Sequence, residues 1–369
     1  MNILPSPLLL LGVGGAGAAM LRGVIRSYGP GIRALAIDTD AQAGGNGDIP
    51  FLLLGGNRLA GRGTGGQVAH ARAAFLDTPS ILDTSLDGVR TVVIVTALGG
   101  GTGGGATGEI LKHLHTRGIA TLVFATTPFT FEGAERVRAA RAAIGPIEQH
   151  ADVSVFLPLD ELVGKAGTDN MRDALARGMD TLSLGVTLLW RVLERPGFIQ
   201  LDSERLRAIL VGCGRAHFAT ATAQGPDRAD AVLAALSESP LLKRDESSVH
   251  VRSILVGVLA GDDLLLSEVA TIASGLSAAF GLGAPLELGT VNDEATFSGR
   301  LTVVALVFDE SATTTRKPAP GTVRTPTRER AGERALARTD RFRHSDATMW
   351  NDEDLDTPTY IRRHLTLDR

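Results

Sequence analysis

The sequence has little cysteine, few aromatic residues and no marked excess of charge. Its single cysteine, Cys213, cannot form an internal disulfide, which is typical of a reducing compartment and of a small, buried apolar side chain. Aromatic residues are 4% of a chain that is 44% hydrophobic, so the cores are expected to be aliphatic. A net charge of −4 gives no drive toward nucleic acid. The apolar segment 3–13 is too short to span a bilayer. We therefore expect a soluble, cytoplasmic protein that binds no nucleic acid and does not insert into a membrane.

Glycine, in contrast, is abundant, and its densest run follows an apolar, β-branched segment. Residues 91–97 lack polar alternation, which predicts a buried parallel strand. In residues 99–105 only Thr102 carries a side chain, so the backbone is free to adopt positive φ and to approach a ligand closely. The amides of such a loop, with a helix starting near Ala106, predict a polyphosphate site.

Strand-like and helix-like segments alternate through the first half of the chain. Apolar segments predict strands at residues 8–13, 34–38, 51–54, 91–97, 119–126 and 153–158. Helical patterns predict helices at residues 17–27, 66–75, 105–115 and 133–150. This alternation is typical of an α/β, doubly wound, mostly parallel sheet, in which ligands lie beyond the carboxyl ends of the strands.

Composition divides the chain into five parts. Residues 1–169 are the predicted α/β domain with the polyphosphate site, and residues 170–200 are a long central helix with the start of a loop. In residues 201–310 strand-like segments outnumber helical ones, which predicts an α+β domain. Residues 311–348 are rich in Arg, Thr, Pro and Ala and predict a disordered linker. Residues 349–369 regain apolar side chains, which is typical of a tail peptide that binds a partner.

The first glycine-rich loop leaves two functions open. Gly12, Gly14 and Gly17 follow a predicted strand with G-x-G-x-x-G spacing, and Asp38 ends the next strand, where dinucleotide-binding enzymes have a ribose-binding acid. That pattern favours an NAD-dependent dehydrogenase. It leaves the second glycine run unexplained, whereas two loops wrapped around one polyphosphate account for both.

The order of the loops resembles that of the tubulin/FtsZ family of cytoskeletal GTPases. The resemblance covers residues 7–309 and returns in the tail, and its motifs are residues 12–17, 38–42, 61–66, 99–105, 127–133 and 195–202. It implies a Rossmann-like GTP- or GDP-binding domain, a central helix, an α+β activation domain and head-to-tail protofilaments of the bacterial division ring. Mg²⁺ would be carried with the nucleotide, and no residue is assigned as a metal ligand.

The resemblance also implies which residues contact the nucleotide. Glu132 and Arg136 would contact the ribose and phosphates, although an ordinary ion pair at a helix start stays open for them. The full set of implied contacts is Gly14, Gly15, Ala16, Gly17, Asp40, Thr64, Gly65, Gly99, Gly100, Gly101, Thr102, Gly103, Gly104, Glu132, Arg136, Leu175 and Met179.

The base side of this site departs from the family pattern. Leu175 and Met179 stand where the family has a Phe that stacks on guanine and an Asn that reads its edge, and Ala19 replaces another Asn. Rejection of the wrong base depends on hydrogen bonds to the base edge. Apolar side chains pack against a purine without selecting one, so guanine selectivity is open, as is a plain core role for Leu175 and Met179.

The catalytic loop departs as well. In the family, the loop after the central helix enters the next subunit's nucleotide site and completes the GTPase with an Asn and two Asp residues. Here Gln200, Asp202 and Arg205 stand at those positions. Asp202 is expected to orient the attacking water, but a cation at Arg205 cannot polarise water as a carboxylate does. Unless the adjacent Glu204 substitutes, this predicts slow or absent hydrolysis with filament formation retained.

The tail from Asp352 to Arg363 is similar to the peptide with which the family docks onto membrane-tethering or regulatory division proteins. That similarity implies a cytoplasmic location at the division site. Two functions follow from the sequence. The leading hypothesis is a GTPase that polymerises head to tail. The second is a non-hydrolysing scaffold of the same fold with weak or no nucleotide selectivity.

Overall fold

The computed structural model describes residues 6–29, 31–163, 171–194, 197–201, 203–242, 250–280, 284–310, 349–350 and 353–354. These residues belong to two units, 1–322 and 323–369. Asp202 and most of the predicted linker and tail lie outside the described residues. So does the side chain of Leu175, whose backbone is helical.

The first half of the chain alternates strands with helices. Its elements are β1 (Leu8–Val13), α1 (Gly14–Tyr28), β2 (Ala34–Asp38), β3 (Phe51–Leu53), α2 (Gly56–Leu59), α3 (Val68–Leu76), β4 (Thr91–Ala97), α4 (Gly101–Thr116), β5 (Ala120–Thr127), α5 (Ala134–His150), β6 (Val153–Pro158) and α6 (Leu159–Val163). The strand predictions are confirmed to within one residue, because each strand is an uninterrupted apolar segment bounded by turn residues.

A long helix leads into the second half. The elements are α7 (Met171–Glu194), α8 (Ser203–Leu210), β7 (Gly214–Gln224), α9 (Arg228–Glu238), β8 (Val251–Ala260), α10 (Leu266–Phe280), β9 (Leu286–Asn292), α11 (Glu294–Phe297) and β10 (Arg300–Asp309). In the unit 323–369, β11 (Met349–Trp350) pairs antiparallel with β12 (Glu353–Asp354).

All of the strands in the unit 1–322 form one ten-stranded sheet, in the order β3-β2-β1-β4-β5-β6-β7-β10-β8-β9. The pairs from β3 to β6 are parallel, as the sequence predicts. Strand β10 runs antiparallel to both of its neighbours. Only two residue pairs, which begin at Val153 with Gly214, join β6 to β7, so this is a narrow seam between a parallel half and a mixed half.

Helix α7 packs against α1 and against strands β8 and β9 of the mixed half. Most of its C-terminal half is buried, including Trp190 and Val192. Glycines in the strands allow the close approach: a Cβ at Gly257 would overlap the Val192 side chain, and one at Gly289 would lie 2.8 Å from it. The predicted boundaries at residues 169, 200 and 310 stay predictions. Cys213 is fully buried, and burial raises the pKa of its thiol to about 11.

Candidate nucleotide site

Two helices begin at the same edge of the sheet, directly after the parallel strands β1 and β4. Helix α1 begins at Gly14 and α4 begins at Gly101, and neither has a side-chain cap or an acidic residue in its first turn. The first amides of a helix have no partner within it and carry the positive end of its dipole. Two such helix starts side by side form a cradle for an anion.

The predicted start of the second helix near Ala106 is wrong. Helix α4 begins five residues earlier, so most of the glycine run is its first turn rather than a loop. Among residues 99–105, all of which are described, only Gly99 has a positive φ. Glycine is a poor helix former, and the sequence signal therefore favoured a loop.

The glycines of the cradle are required by close packing. A Cβ at Gly103 would overlap the carbonyl of Ala97, and one at Gly17 would lie 2.6 Å from the carbonyl of Val95. A Cβ at Gly14 would lie 3.2 Å from the Gly103 amide nitrogen. The two helix starts thus lie against each other and against the ends of β4. Ala16, on α1, is partly buried and packs against the core.

One side chain of the glycine run reaches a second strand end. Thr102 Oγ1 lies 2.8 Å from the Oγ1 of Thr39, which directly follows β2, and both residues are buried. The Thr39 amide donates to Asp38 Oδ1 at 2.6 Å. The segment after β2 is therefore joined to the first turn of α4.

A third loop covers α4 from the side of β3. A Cβ at Gly101 would overlap the hydroxyl of Thr64, so this hydroxyl lies directly against the helix start. Asp40 is held in a local turn by the Gln42 amide at 2.9 Å and by backbone bridging to Arg62. A Cβ at Gly65 or at Gly100 would meet no atom within 4 Å, so both residues border open space. Gly65 also has a positive φ of +60°.

Glu132 and Arg136 form an ion pair beside the cradle. Arg136 Nη1 lies 2.5 Å from Glu132 Oε2, and Glu132 Oε1 accepts the Phe129 amide at 2.9 Å. The backbone of Arg136 lies close to Gly99, because a Cβ there would be 3.0 Å from the Arg136 carbonyl. The pair is thus both an i, i+4 pair and a neighbour of the glycine run.

The base-side residues are only partly described. Met179 is half-buried and packs against the core cluster that includes α7, and Ala19 is half-buried on α1. Helices α1 and α7 pack together through Gly23, where a Cβ would lie 2.6 Å from the Ser183 hydroxyl. A core role for Met179 therefore accounts for its contacts.

The predicted catalytic loop is attached to the edge strand β9. Ile199 and Thr290 exchange hydrogen bonds, with the Thr290 amide donating to the Ile199 carbonyl at 2.8 Å and the Ile199 amide donating to Thr290 Oγ1 at 2.9 Å. Gln200 is exposed. Arg205 pairs through two nitrogens with Glu287 of β9, and its Nε lies 3.1 Å from Glu287 Oε2.

Sequence reasoning missed Thr39 and Glu287. The hydroxyl of Thr39 lies in the motif 38–42, but only the fold brings it to Thr102. Glu287 is separated from Arg205 by 82 positions, so no local pattern could reveal the pair. No group of three or more His, Cys, Asp or Glu side chains among the described residues is arranged to hold a metal ion. Of the helices in the described part of the chain, none has the length and apolarity needed to cross a bilayer.

The fold is that of an α/β protein with two helix starts side by side at one edge of its parallel sheet, an arrangement typical of a polyphosphate site. The family model described as "Tubulin/FtsZ family, GTPase domain" matches residues 7–167. A cell division protein FtsZ of Pseudomonas putida is 33% identical over 295 residues, 79% of this chain and 74% of that protein. The same protein of Pseudomonas aeruginosa is 31% identical over 286 residues, which cover 77% and 72%.

Solved structures show the same fold. An empty FtsZ dimer of M. jannaschii superposes with a TM-score of 0.76 at 24% identity, over 82% of this chain and 87% of that one. A GTPγS-bound protofilament of CetZ2 from Haloferax volcanii gives 0.68 at 20% identity, over 90% and 98%. The chain belongs to the tubulin/FtsZ family. This assignment removes the dehydrogenase alternative.

Proposed function

We propose that this chain is a GTP-binding cytoskeletal protein of bacterial cell division, which polymerises head to tail and hydrolyses GTP slowly. The observation that carries the proposal is the cradle, where α1 and α4 begin side by side at the edge of the parallel sheet. A nucleoside triphosphate matches such a site, because backbone amides and helix dipoles attract the negatively charged phosphates, whichever base the nucleotide carries. The relatives in two Pseudomonas species are named as cell division proteins, which supports the cellular role.

Exposed apolar side chains support self-assembly. Phe131 is 63% exposed and stacks on Phe129 in the segment that follows β5, at the cradle edge of the sheet. Phe198 is 78% exposed on the loop attached to β9, and Leu266 at the start of α10 is 84% exposed. Large exposed apolar groups favour contact with another protein. Head-to-tail contacts between copies would cover both regions, and they would bring the loop of one copy to the nucleotide of the next.

The chemistry proposed for the assembled site is attack of water on the γ-phosphate, which breaks its bond to the β-phosphate oxygen and releases phosphate and GDP. Asp202 of the neighbouring copy would orient the water, with Gln200 beside it. Arg205 contributes little to this step, since its charge is compensated by Glu287 of its own copy. Mg²⁺ bound with the phosphates would supply charge neutralisation in the transition state.

The second candidate is a scaffold that binds nucleotide without hydrolysing it. The Arg205–Glu287 pair favours this candidate, because a guanidinium occupies the place expected of an acid and has a partner within the subunit. In both candidates the cytoplasmic location is the division site, and the tail from Asp352 to Arg363 binds a membrane-tethering or regulatory protein.

Purification without added nucleotide, followed by identification of what elutes with the protein, tests nucleotide binding. Bound GDP or GTP supports the proposal. If adenine nucleotides elute in similar amounts, the part of the site that contains Ala19 and Met179 does not select guanine. A protein that is empty and still forms filaments in electron micrographs would favour the scaffold and contradict the GTPase.

Phosphate release on assembly tests the catalytic loop. We expect slow release in the native protein, faster release in Arg205→Asp, and none above background in Asp202→Ala. Glu287→Gln is the matched control, because it breaks the same ion pair without adding a carboxylate, and it should leave the rate near that of the native protein. Robust native release that Asp202→Ala abolishes and Arg205→Asp leaves unchanged would contradict the role given to Arg205.

A further inference from the structure

Arg62 is an exposed cation beside the cradle. It lies in the loop of residues 61–66, which reaches the cradle through Thr64, whose hydroxyl lies directly against the start of α4. The backbone of Arg62 pairs with that of Asp40, but among the described residues its side chain forms neither a hydrogen bond nor an ion pair. Its guanidinium is therefore available to a group outside the subunit.

The backbone around Arg62 is fixed from both sides. The Ala41 amide donates to the Gly61 carbonyl at 3.0 Å, and the Gly63 amide donates to the Thr39 carbonyl at 3.1 Å. These two hydrogen bonds hold the loop on the segment that follows β2. A contact made by Arg62 would therefore cost the freedom of one side chain and little backbone ordering.

Glu204 is an exposed carboxylate on the other proposed contact surface. It lies in the first turn of α8, directly after the predicted catalytic loop, and its side chain is 64% exposed. In the described contacts its partner is Arg207 of the same helix, at 3.5 Å. An exposed contact at this distance contributes little, so the charge of Glu204 stays available to another molecule.

The proposed head-to-tail contact brings these two opposite charges to the same place. Other described ion pairs at the two surfaces are closed within one copy, namely Glu132 with Arg136 and Arg205 with Glu287. Arg62 has no such partner, and Glu204 has only the 3.5 Å contact. The exposed rings of Phe131 and Phe198 would exclude water when the surfaces meet, which strengthens an attraction between charges.

We propose that Arg62 of one copy forms an ion pair with Glu204 of the next copy in the filament. The partner of this surface is thus a second copy of the same chain, recognised by charge. The inference rests on the proposed function, because it needs the head-to-tail arrangement that brings the loop of one copy to the cradle of the next. It gives Glu204 a role in assembly and makes filament formation sensitive to ionic strength.

Exchange of the two charges tests this pair. Sedimentation of filaments with GTP gives the critical concentration, which follows the free energy of one head-to-tail contact because each added copy forms one. Arg62→Glu sets two carboxylates against each other and Glu204→Arg sets two cations, so each should raise the critical concentration at least about tenfold in about 50 mM salt. The variant that carries both changes should return to within about threefold of the native value.

Two controls separate the pair from the overall charge of the chain. Arg141→Glu makes the same change on an exposed arginine of α5 and should leave the critical concentration within about twofold of the native value. Glu238→Arg, on the exposed end of α9, restores the net charge of Arg62→Glu and should not restore its assembly. In about 500 mM salt the native protein and Arg62→Glu should converge, because the charges are screened.

The inference is overturned if the double variant assembles no better than Arg62→Glu, or if Arg62→Glu assembles like the native protein. Calorimetry with GTP below the critical concentration shows whether each variant is folded and binds nucleotide. A loss of GTP affinity of more than about tenfold in Arg62→Glu, retained in the double variant, would show that the guanidinium contacts the nucleotide instead. If the native protein forms no filaments with GTP, the proposed function fails together with the inference.

Discussion

Gly100 and Gly101 are adjacent, but only Gly101 lacks room for a side chain. A Cβ at Gly101 would overlap the Thr64 hydroxyl and lie 2.9 Å from Thr64 Cβ, whereas one at Gly100 would meet nothing within 4 Å. Overpacking of this kind costs about 1–3 kcal/mol. We expect Gly101→Ala to lower the free energy of unfolding by that amount and to weaken GTP binding at least about tenfold, because the start of α4 must shift.

Gly100→Ala is the control for this prediction. Its φ of −95° suits any L-residue, so stability should change by less than about 0.5 kcal/mol. Urea denaturation and GTP calorimetry on both variants provide the measurement. Equal effects of the two substitutions would contradict the packing explanation.

The buried carboxylate of Glu268 should make the stability of the protein depend on pH. Arg228 donates two hydrogen bonds to the Glu268 carboxylate, at 2.6 and 3.0 Å, and these lower the pKa of Glu268. Burial raises that pKa, but the bonds from Arg228 and from the Leu265 amide outweigh it and hold the pKa below its usual value of 4.5. The pKa of Glu268 is lower in the folded state than in the unfolded state. The ionised carboxylate therefore contributes fully to the free energy of unfolding above about pH 4.5, and this contribution is lost as the pH falls through the folded-state pKa. Glu268→Gln should be less stable at neutral pH and should lose less stability on acidification. Parallel curves from urea denaturation across this range would contradict the prediction.

The sequence predicts the role of a single residue where that role depends on a local pattern along the chain. Thr102 and the glycines of residues 99–105 were predicted as cradle residues because the pattern is local. Asp38 was noticed in the sequence as an acid of a dehydrogenase motif and as the first residue of the motif 38–42. Its burial and its position near Gly15 of α1 depend on the fold, which no local pattern reveals.

At the scale of elements, Arg191 of α7 joins three helices. Its guanidinium is buried, lies 2.7 Å from Asp293 at the start of α11, and donates to the Ser27 carbonyl near the end of α1. The rings of Tyr28 and Phe297 lie 5.6 and 5.8 Å from it. Burial alone would raise the pKa of Asp293, but hydrogen bonds from Thr296 and Arg191 outweigh it and lower that pKa.

Removal of one partner from a buried pair leaves an uncompensated charge, so Arg191→Ala should cost about 3 kcal/mol of unfolding free energy. Arg300→Ala is the matched control. Arg300, at the start of β10, is exposed and in the described contacts bonds only the Thr296 carbonyl of α11, so its loss should cost less than about 1 kcal/mol. Guanidinium denaturation measures both. A cost below 1 kcal/mol for Arg191→Ala would show that the three helices are held by apolar packing alone.

Strands were predicted more accurately than helix starts. The strands β1, β2, β4 and β6 begin and end where the apolar segments do, because burial on both faces leaves an uninterrupted pattern. The start of α4 was missed because its glycines are dictated by the carbonyls of Ala97 and Val68, which the fold alone brings near.

For the whole molecule, the tail and the polymer should be separable. Deletion of residues 349–369 removes β11 and β12, which belong to a different unit from the ten-stranded sheet. We expect the truncated chain to form filaments in vitro like the full chain but to be absent from the division site when tagged and observed in cells. Retained localisation would contradict the role of the tail, and lost filaments would contradict its independence from assembly.

The aliphatic core described above has a spectroscopic consequence. The chain has two tryptophans, Trp190 in the buried half of α7 and Trp350 in β11. Trp190 is 1% exposed and packs in an apolar cluster that has members from both halves of the sheet. The truncation that removes the tail also removes Trp350, and the remaining indole lies in that shared core. Without any added label, the emission spectrum of the truncated chain reports when water reaches that core.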